Sequence, residues 1–370
     1  MKKNITILEN TIFSTNTARL KLTQALIEYG YNVTILSTGP KKEMELARSK
    51  GFKVLDVGAS NTNILDILKY IKNIRSGLIK TKPDIVLTFT MRPAIWGNLI
   101  THFLRLPTIT NISGIGPLAD SESFAYRVAR LLYKFVLKKT ALIFFQNRDD
   151  FDYFIKKKFV KPSQAVIIPG SGVDYEHYSP QVQNRNDGKF VFLFISRLIK
   201  DKGILEYVDA AKALKELDSN VVCQVLGPYY SQNLKENIIT EIQVMQWLDN
   251  GIVKYLGAAD DVRPFMAEAD CIVLPSYREG MSNVLLEAAS MQKPSITTNV
   301  PGCNDIVQHG VNGYLCNVKD SIDLKQKMQQ MISLSASERE EMGVKAREMV
   351  IKKFAKKIVI DAYITAINRF

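Results

Sequence analysis

Cysteine and histidine are scarce in this sequence. The four cysteines, Cys223, Cys271, Cys303 and Cys316, form no Cys-x-x-Cys pair, and His102, His177 and His309 are scattered. That pattern argues against a zinc site or a disulfide scaffold and fits a reducing, cytosolic setting. No long uninterrupted apolar run exists. The nearest, residues 85–106, contains Arg92, Pro93, His102 and Arg105, so a strand, a turn and a helix explain it better than a membrane span. After Met1-Lys2-Lys3 the apolar run is broken by Thr6 and ended by Glu9, too short for a secretion signal, and reads as a first buried strand. Short repeats and low-complexity tracts are missing. So is Gly-x-Gly-x-x-Gly after any first strand, which argues against a dinucleotide-dependent dehydrogenase.

What is present is enough for two cores. The chain has 370 residues, 46% of them hydrophobic, which favours two domains of ordinary size. The net charge of +12 is confined to one half. Residues 1–178 hold 26 Lys and Arg against 14 Asp and Glu, whereas residues 179–370 hold 23 of each. An anionic partner is therefore expected for the first half alone: a membrane surface, a phosphorylated acceptor or nucleic acid.

Both halves alternate β-rich runs with helical stretches. In the first the strands are expected at 5–8, 32–37, 53–56, 85–89, 108–111, 142–145 and 165–168. The rhythm restarts at 190–195, 221–226, 253–256, 271–274, 295–298 and 314–316, and helices over 337–350 and 353–368 end the chain. Such alternation predicts an α/β chain of two doubly wound parallel sheets. Pro169-Gly170-Ser171-Gly172-Val173-Asp174 and the polar stretch 181–188 mark the boundary. The expected domains are 1–178 and 179–352, with a closing helix at 353–370 returning to the first. Ligands are expected in a cleft between them, beyond the carboxyl ends of the strands.

The strongest chemical signal is Leu274-Pro275-Ser276-Tyr277-Arg278-Glu279-Gly280-Met281-Ser282-Asn283-Val284-Leu285-Leu286-Glu287-Ala288. A buried strand runs into a polar loop, and a helix begins near Ser282 and Asn283, both good capping residues. A helix N-terminus suits a phosphate, and Gly280 permits close approach of the backbone. Glu279 and Glu287 can accept hydrogen bonds from paired sugar or ribose hydroxyls. The plain alternative is a loop acid and a solvated helix acid. Glu287, however, sits in an apolar stretch and needs a partner. The second signal is Ser196-Arg197-Leu198-Ile199-Lys200-Asp201-Lys202-Gly203, between a strand and a helix. Arg197 and Lys202 can neutralise a diphosphate there and stabilise it as a leaving group, although a solvated turn is the alternative.

Together with Tyr255-Leu256-Gly257, Asp261-Val262, Pro301-Gly302-Cys303 and Gly310-x-x-Gly313, these segments resemble glycosyltransferase family 4, retaining enzymes of the GT-B fold. The likeness is dense from Arg197 to Gly313 and looser but collinear over the first half. It implies that Arg197 and Lys202 hold the donor diphosphate and that Glu279 holds the transferred sugar. Gly280, Met281, Ser282 and Asn283 would line the donor site with backbone N–H groups at the helix start. Glu287 would bind the ribose, and the loop ending at Gly257 would flank the base. Glu279, Arg197 and Lys202 are the implied catalytic set. Retention would proceed by front-side attack with no protein nucleophile, no cofactor and no metal.

Departures from the family are informative. The loop after the first strand, Asn10 to Thr17, has no glycine, and no histidine stands in the loop Asn111-Ile112-Ser113-Gly114-Ile115-Gly116-Pro117. The latter resembles loops of enzymes acting on polyprenyl-diphosphate sugars in surface-polysaccharide assembly. Ser113, Gly114 and Gly116 would then cradle an acceptor diphosphate, with a tight turn as the alternative. Asp150-Phe151-Asp152 has the Asp-x-Asp form of a metal–nucleotide motif but lies where a helix begins, and reads as dipole-stabilising acids.

The helical stretches 123–139 and 64–82 place basic residues beside apolar faces, suggesting a membrane-facing surface. The expected activity is transfer of a hexose or N-acetylhexosamine from a UDP-sugar to a polyprenyl-diphosphate-linked saccharide, as in O-antigen or capsule assembly. It would take place peripherally on the cytoplasmic face of the inner membrane, with no nucleic-acid partner. The alternatives are a GDP-sugar donor, a soluble acceptor, or a non-enzymatic membrane- or nucleic-acid-binding protein.

Overall fold

The computed structural model describes residues 2–58, 63–115, 124–182, 185, 187–229 and 237–370. Two compact units emerge: Met1–Ser171 with Lys356–Phe370, and Gly172–Ala355. The division comes earlier than residue 178 because Val173 already bridges to Ala355 and Tyr178 packs in the second unit's core.

The first unit is built on β1 (Asn4–Leu8), β2 (Asn32–Ser37), β3 (Lys53–Asp56), β4 (Ile85–Phe89), β5 (Thr108–Ile112), β6 (Leu142–Phe145) and β7 (Ala165–Ile167). Their order is β3-β2-β1-β4-β5-β6-β7, all parallel. β4, β5 and β6 are buried along their whole length, as parallel strands covered on both faces must be. The closing helix Lys356–Ile367 packs on this sheet. Tyr363 meets Phe144 edge-on at 4.8 Å, and its hydroxyl accepts from Asn111 at 3.0 Å.

The second sheet comprises β8 (Phe190–Ile195), β9 (Val221–Leu226), β10 (Lys254–Tyr255), β11 (Cys271–Leu274), β12 (Ser295–Thr298) and β13 (Gly313–Cys316), in the order β10-β9-β8-β11-β12-β13. Here β8 has β9 on one side and β11 on the other. Chain order reverses direction at that pair, and ligands bind at such switch points. The polar stretch before β8 is more than a solvated linker. Arg185 pairs with Asp270 at 2.5 Å and Asp187 at 2.7 Å, anchoring it to the second unit.

The helix Phe124–Leu137 departs from simple amphipathy. Tyr133, Val136 and Leu137 face the core, but Leu131 and Phe135 are exposed beside the basic Lys134 and Lys138. The apolar stripe read from the sequence is therefore split between inside and outside.

Glu9, which ends the first apolar run, is wholly buried against Arg19 at 3.4 Å. Burial pushes its carboxyl up to about 7, with Arg19 opposing. Below the ordinary value of 4.5, folded and unfolded chains both hold the proton; between 4.5 and about 7 only the folded chain does. Raising the pH through that window therefore draws the chain toward unfolding, by on the order of 3 kcal/mol in all. Thermal melts at about pH 5 and about pH 8 should show the wild type losing stability relative to Glu9→Gln. A constant gap would mean that Glu9 stays ionised throughout.

Candidate functional site

The neighbouring β8 and β11 bring together two loops remote in sequence. Gly203, which ends the first, has φ +74° and packs so tightly that a Cβ would lie 2.0 Å from the Pro275 carbonyl oxygen in the second. Tyr277 N–H donates to the Asp201 carbonyl at 2.9 Å. The backbones are thus fixed against each other before any side chain is considered.

On that frame Lys202 reaches Glu279, with Nζ 2.5 Å from Oε1. Ser276 Oγ donates to the same oxygen at 2.7 Å. Both charged side chains keep partial access to solvent, 18% for Lys202 and 13% for Glu279. The pair is therefore screened only in part and open to a ligand. Arg197 is exposed on the loop leaving β8, five residues before Lys202.

The Glu279 loop is also held from below. Thr298 Oγ1 donates to the Ser276 carbonyl, and Ser282 N–H donates to the Gly302 carbonyl at 3.1 Å. Gly302 has φ +77°, and a Cβ there would come within 2.8 Å of the Glu279 and Gly280 carbonyls. Only glycine fits that approach. Ser282 caps the helix Asn283–Ser290 by accepting from Leu285 N–H. Met281 and Ser282 are buried, and Asn283 is exposed at the helix start.

Glu287 lies one turn further along and is half-buried. The partner its apolar setting demanded is Tyr178, whose hydroxyl hydrogen-bonds it. Gly257, with φ +78°, follows β10, and its carbonyl accepts from Gly227 N–H at 2.8 Å.

Cys303 sits near the charged pair, but burial first and Glu279 second push its thiol up to about 12. It carries essentially no thiolate at neutral pH and is no nucleophile.

In the first unit, Ser113 and Gly114 follow β5, with Gly114 at φ +119°. Gly116 lies outside the described residues. Ile115 N–H donates to Asp150 Oδ2 at 3.2 Å. Asp150 is buried at the N-terminus of the helix Arg148–Lys156, and Asp152 pairs with Arg148 at 2.8 Å. The two acids of Asp-x-Asp thus have different structural partners. His177 stacks edge-on against Tyr178 and meets Arg263 at 3.3 Å.

Residues 177–349 match the glycosyl transferases group 1 family, and residues 9–147 match the glycosyl transferase 4-like family. A glycosyltransferase of Methanocaldococcus jannaschii is 30% identical over 264 residues, covering 70% of this chain and 67% of that one. The chain belongs to the glycosyltransferases, and its second half is a group 1 domain. An Escherichia coli relative, UDP-Gal:alpha-D-GlcNAc-diphosphoundecaprenol alpha-1,3-galactosyltransferase, is 29% identical to this transferase over 278 residues, 70% of this chain and 69% of that one. An Anabaena protein solved in complex with UDP and glucose superposes with a TM-score of 0.80 over 100% of both chains at 18% identity. The transferase therefore has the GT-B architecture of two Rossmann-like sheets.

Ser276 and Tyr178 are absent from the site read off the sequence. Ser276 stood inside the motif, three residues before Glu279. Nothing local marked Tyr178, because its partner belongs to a distant helix.

Proposed function

We propose that this transferase moves a hexose or N-acetylhexosamine from a UDP-sugar, with retention, to a lipid-diphosphate-linked saccharide in O-antigen, capsule or related glycan assembly. The carrying observation is the Lys202–Glu279 pair with Ser276, in loops locked together at a switch point. An ammonium has three donor hydrogens, so Lys202 can bond Glu279 and still offer two to phosphate oxygens. Glu279 retains lone pairs for sugar hydroxyls. In this reading Arg197 supplies the second cation, and the N–H groups at the start of the Asn283–Ser290 helix face the phosphate. As the glycosidic bond breaks, charge grows on the leaving diphosphate, and the two cations stabilise it without a metal. The E. coli relative's donor and acceptor support the same assignment.

The first unit would present the acceptor through Ser113, Gly114 and Gly116 on an anionic membrane surface. Supporting this is the outer face of the Phe124–Leu137 helix. Leu131 and Phe135 project there, and a concavity of about 480 Å³ is lined by Arg127, Arg130, Lys134 and Lys157. Exposed apolar side chains among cations suit the interface of an anionic leaflet. Among the described residues no helix is long and apolar enough to cross a membrane.

The deciding assay is a panel of UDP- and GDP-sugars offered with polyprenyl-diphosphate saccharides in EDTA. Turnover of a UDP-sugar alone is expected; turnover only with GDP-sugars, or only after adding Mn²⁺, would contradict the reading. In cosedimentation, vesicles rich in phosphatidylglycerol should bind the protein, and Leu131→Glu/Phe135→Glu should lower binding about tenfold or more. Equal binding to neutral vesicles would remove the anionic-surface assignment.

A further inference from the structure

Glu287 is the acid that the proposed function assigns to the donor ribose, and the role of its partner Tyr178 rests on that assignment. A glutamate on a helix has three rotatable side-chain bonds. Without a second contact its carboxylate would sample several rotamers and pay to settle on a ligand.

The second contact is unusually well supported. Tyr178 belongs to the segment entering the second unit, 112 residues before Ser290. Its carbonyl accepts from Ser290 Oγ at 2.8 Å and from Arg347 Nη1 at 3.3 Å. Ser290 ends the helix that carries Glu287, so Tyr178 is pinned alongside that helix. Arg347 also reaches the Tyr175 carbonyl at 3.2 Å and the Ser290 carbonyl, holding this segment on the same helix end. The Tyr178 ring packs against the second unit's cores. His177 closes on the ring edge-on at 5.0 Å. From this fixed position the phenol hydroxyl bonds the Glu287 carboxylate. Asp261 and Arg263 are the other charged groups around it, and they bond each other at 2.7 Å.

We propose that Tyr178 is a positioning residue that locks one oxygen of Glu287, aims the other at the ribose diol, and thereby makes the enzyme select ribonucleoside over 2′-deoxyribonucleoside diphosphate donors. A preset acceptor rewards a ligand hydroxyl fully, and a ligand lacking it leaves the carboxylate short of that bond. Donors built on deoxynucleosides would bind poorly although their diphosphate is the same.

The test compares calorimetric affinities of UDP and 2′-deoxy-UDP for the full chain as wild type, Tyr178→Phe and Glu287→Gln. Phenylalanine keeps the ring packing and both carbonyl contacts and removes only the hydroxyl. The wild type should prefer UDP by about tenfold or more. Tyr178→Phe should weaken UDP about tenfold, change 2′-deoxy-UDP by less than about threefold, and so erase most of the preference. Equal loss for both ligands would reduce Tyr178 to a packing role and overturn the proposal, as would no loss. Should Glu287→Gln erase the preference while Tyr178→Phe preserves it, the ribose assignment stands and only the Tyr178 inference falls. No preference in the wild type, or no UDP binding at all, would sink the assignment of Glu287 and this inference together.

Discussion

Replacing Glu279 with alanine should lower turnover by roughly 10²- to 10³-fold while leaving the fold intact, the size of loss typical when one preorganised polar group is removed from a transition state. The fold should survive because the loop hangs on its backbone. Tyr277 N–H is held by Asp201, Ser282 N–H by Gly302, and the Ser276 carbonyl by Thr298. None of these bonds uses the Glu279 side chain. The melting temperature should accordingly shift by only a few degrees, as for a mutation worth about 1 kcal/mol. UDP itself should bind the variant within about threefold of wild type, because Glu279 is assigned to the sugar and not to the nucleotide. Turnover at the wild-type rate would remove Glu279 from the site.

Lys202→Ala should act on the other half of the donor. It removes a cation from the proposed diphosphate site and leaves Glu279 as an uncompensated anion beside it. A charge-assisted hydrogen bond is worth about 1.5–3 kcal/mol, so UDP affinity should fall by about 10- to 100-fold. Repulsion from Glu279 adds to the loss, and the double variant Lys202→Ala/Glu279→Ala should recover part of it. That recovery is specific to two charges acting at one place. Unchanged UDP affinity in Lys202→Ala would mean that the diphosphate binds elsewhere.

Much of this was legible from residue patterns because parallel strands buried on both faces read as short apolar runs. Cys271–Leu274 and Phe190–Ile195 stand out in that way. The capping role of Ser282 followed from its place between a polar loop and an apolar run. The demand for a partner at Glu287 was equally local, since an acid among Val284, Leu285, Leu286 and Ala288 has little access to water.

What was not legible depends on contacts between segments remote in sequence. The identity of the Glu287 partner needs Tyr178 laid along another element, and Asp150 as an anchor for Ile115 needs a loop brought against the first turn of a separate helix. Glu9 read simply as the end of an apolar run, because only the folded sheet reveals that it is buried on Arg19. The outward turn of Leu131 and Phe135 escaped periodicity for a similar reason. Helical spacing groups them with Leu132 and Val136, and only packing decides which members of a wide stripe meet the core.

A crystal structure of the full chain with UDP tests the central claim most directly, namely that the loops leaving β8 and β11 form one nucleotide site. Diphosphate oxygens should lie within about 3 Å of Lys202 Nζ, and the ribose hydroxyls within the same distance of Glu287. A nucleotide bound in clear density away from Lys202, Glu279 and Glu287 would contradict it.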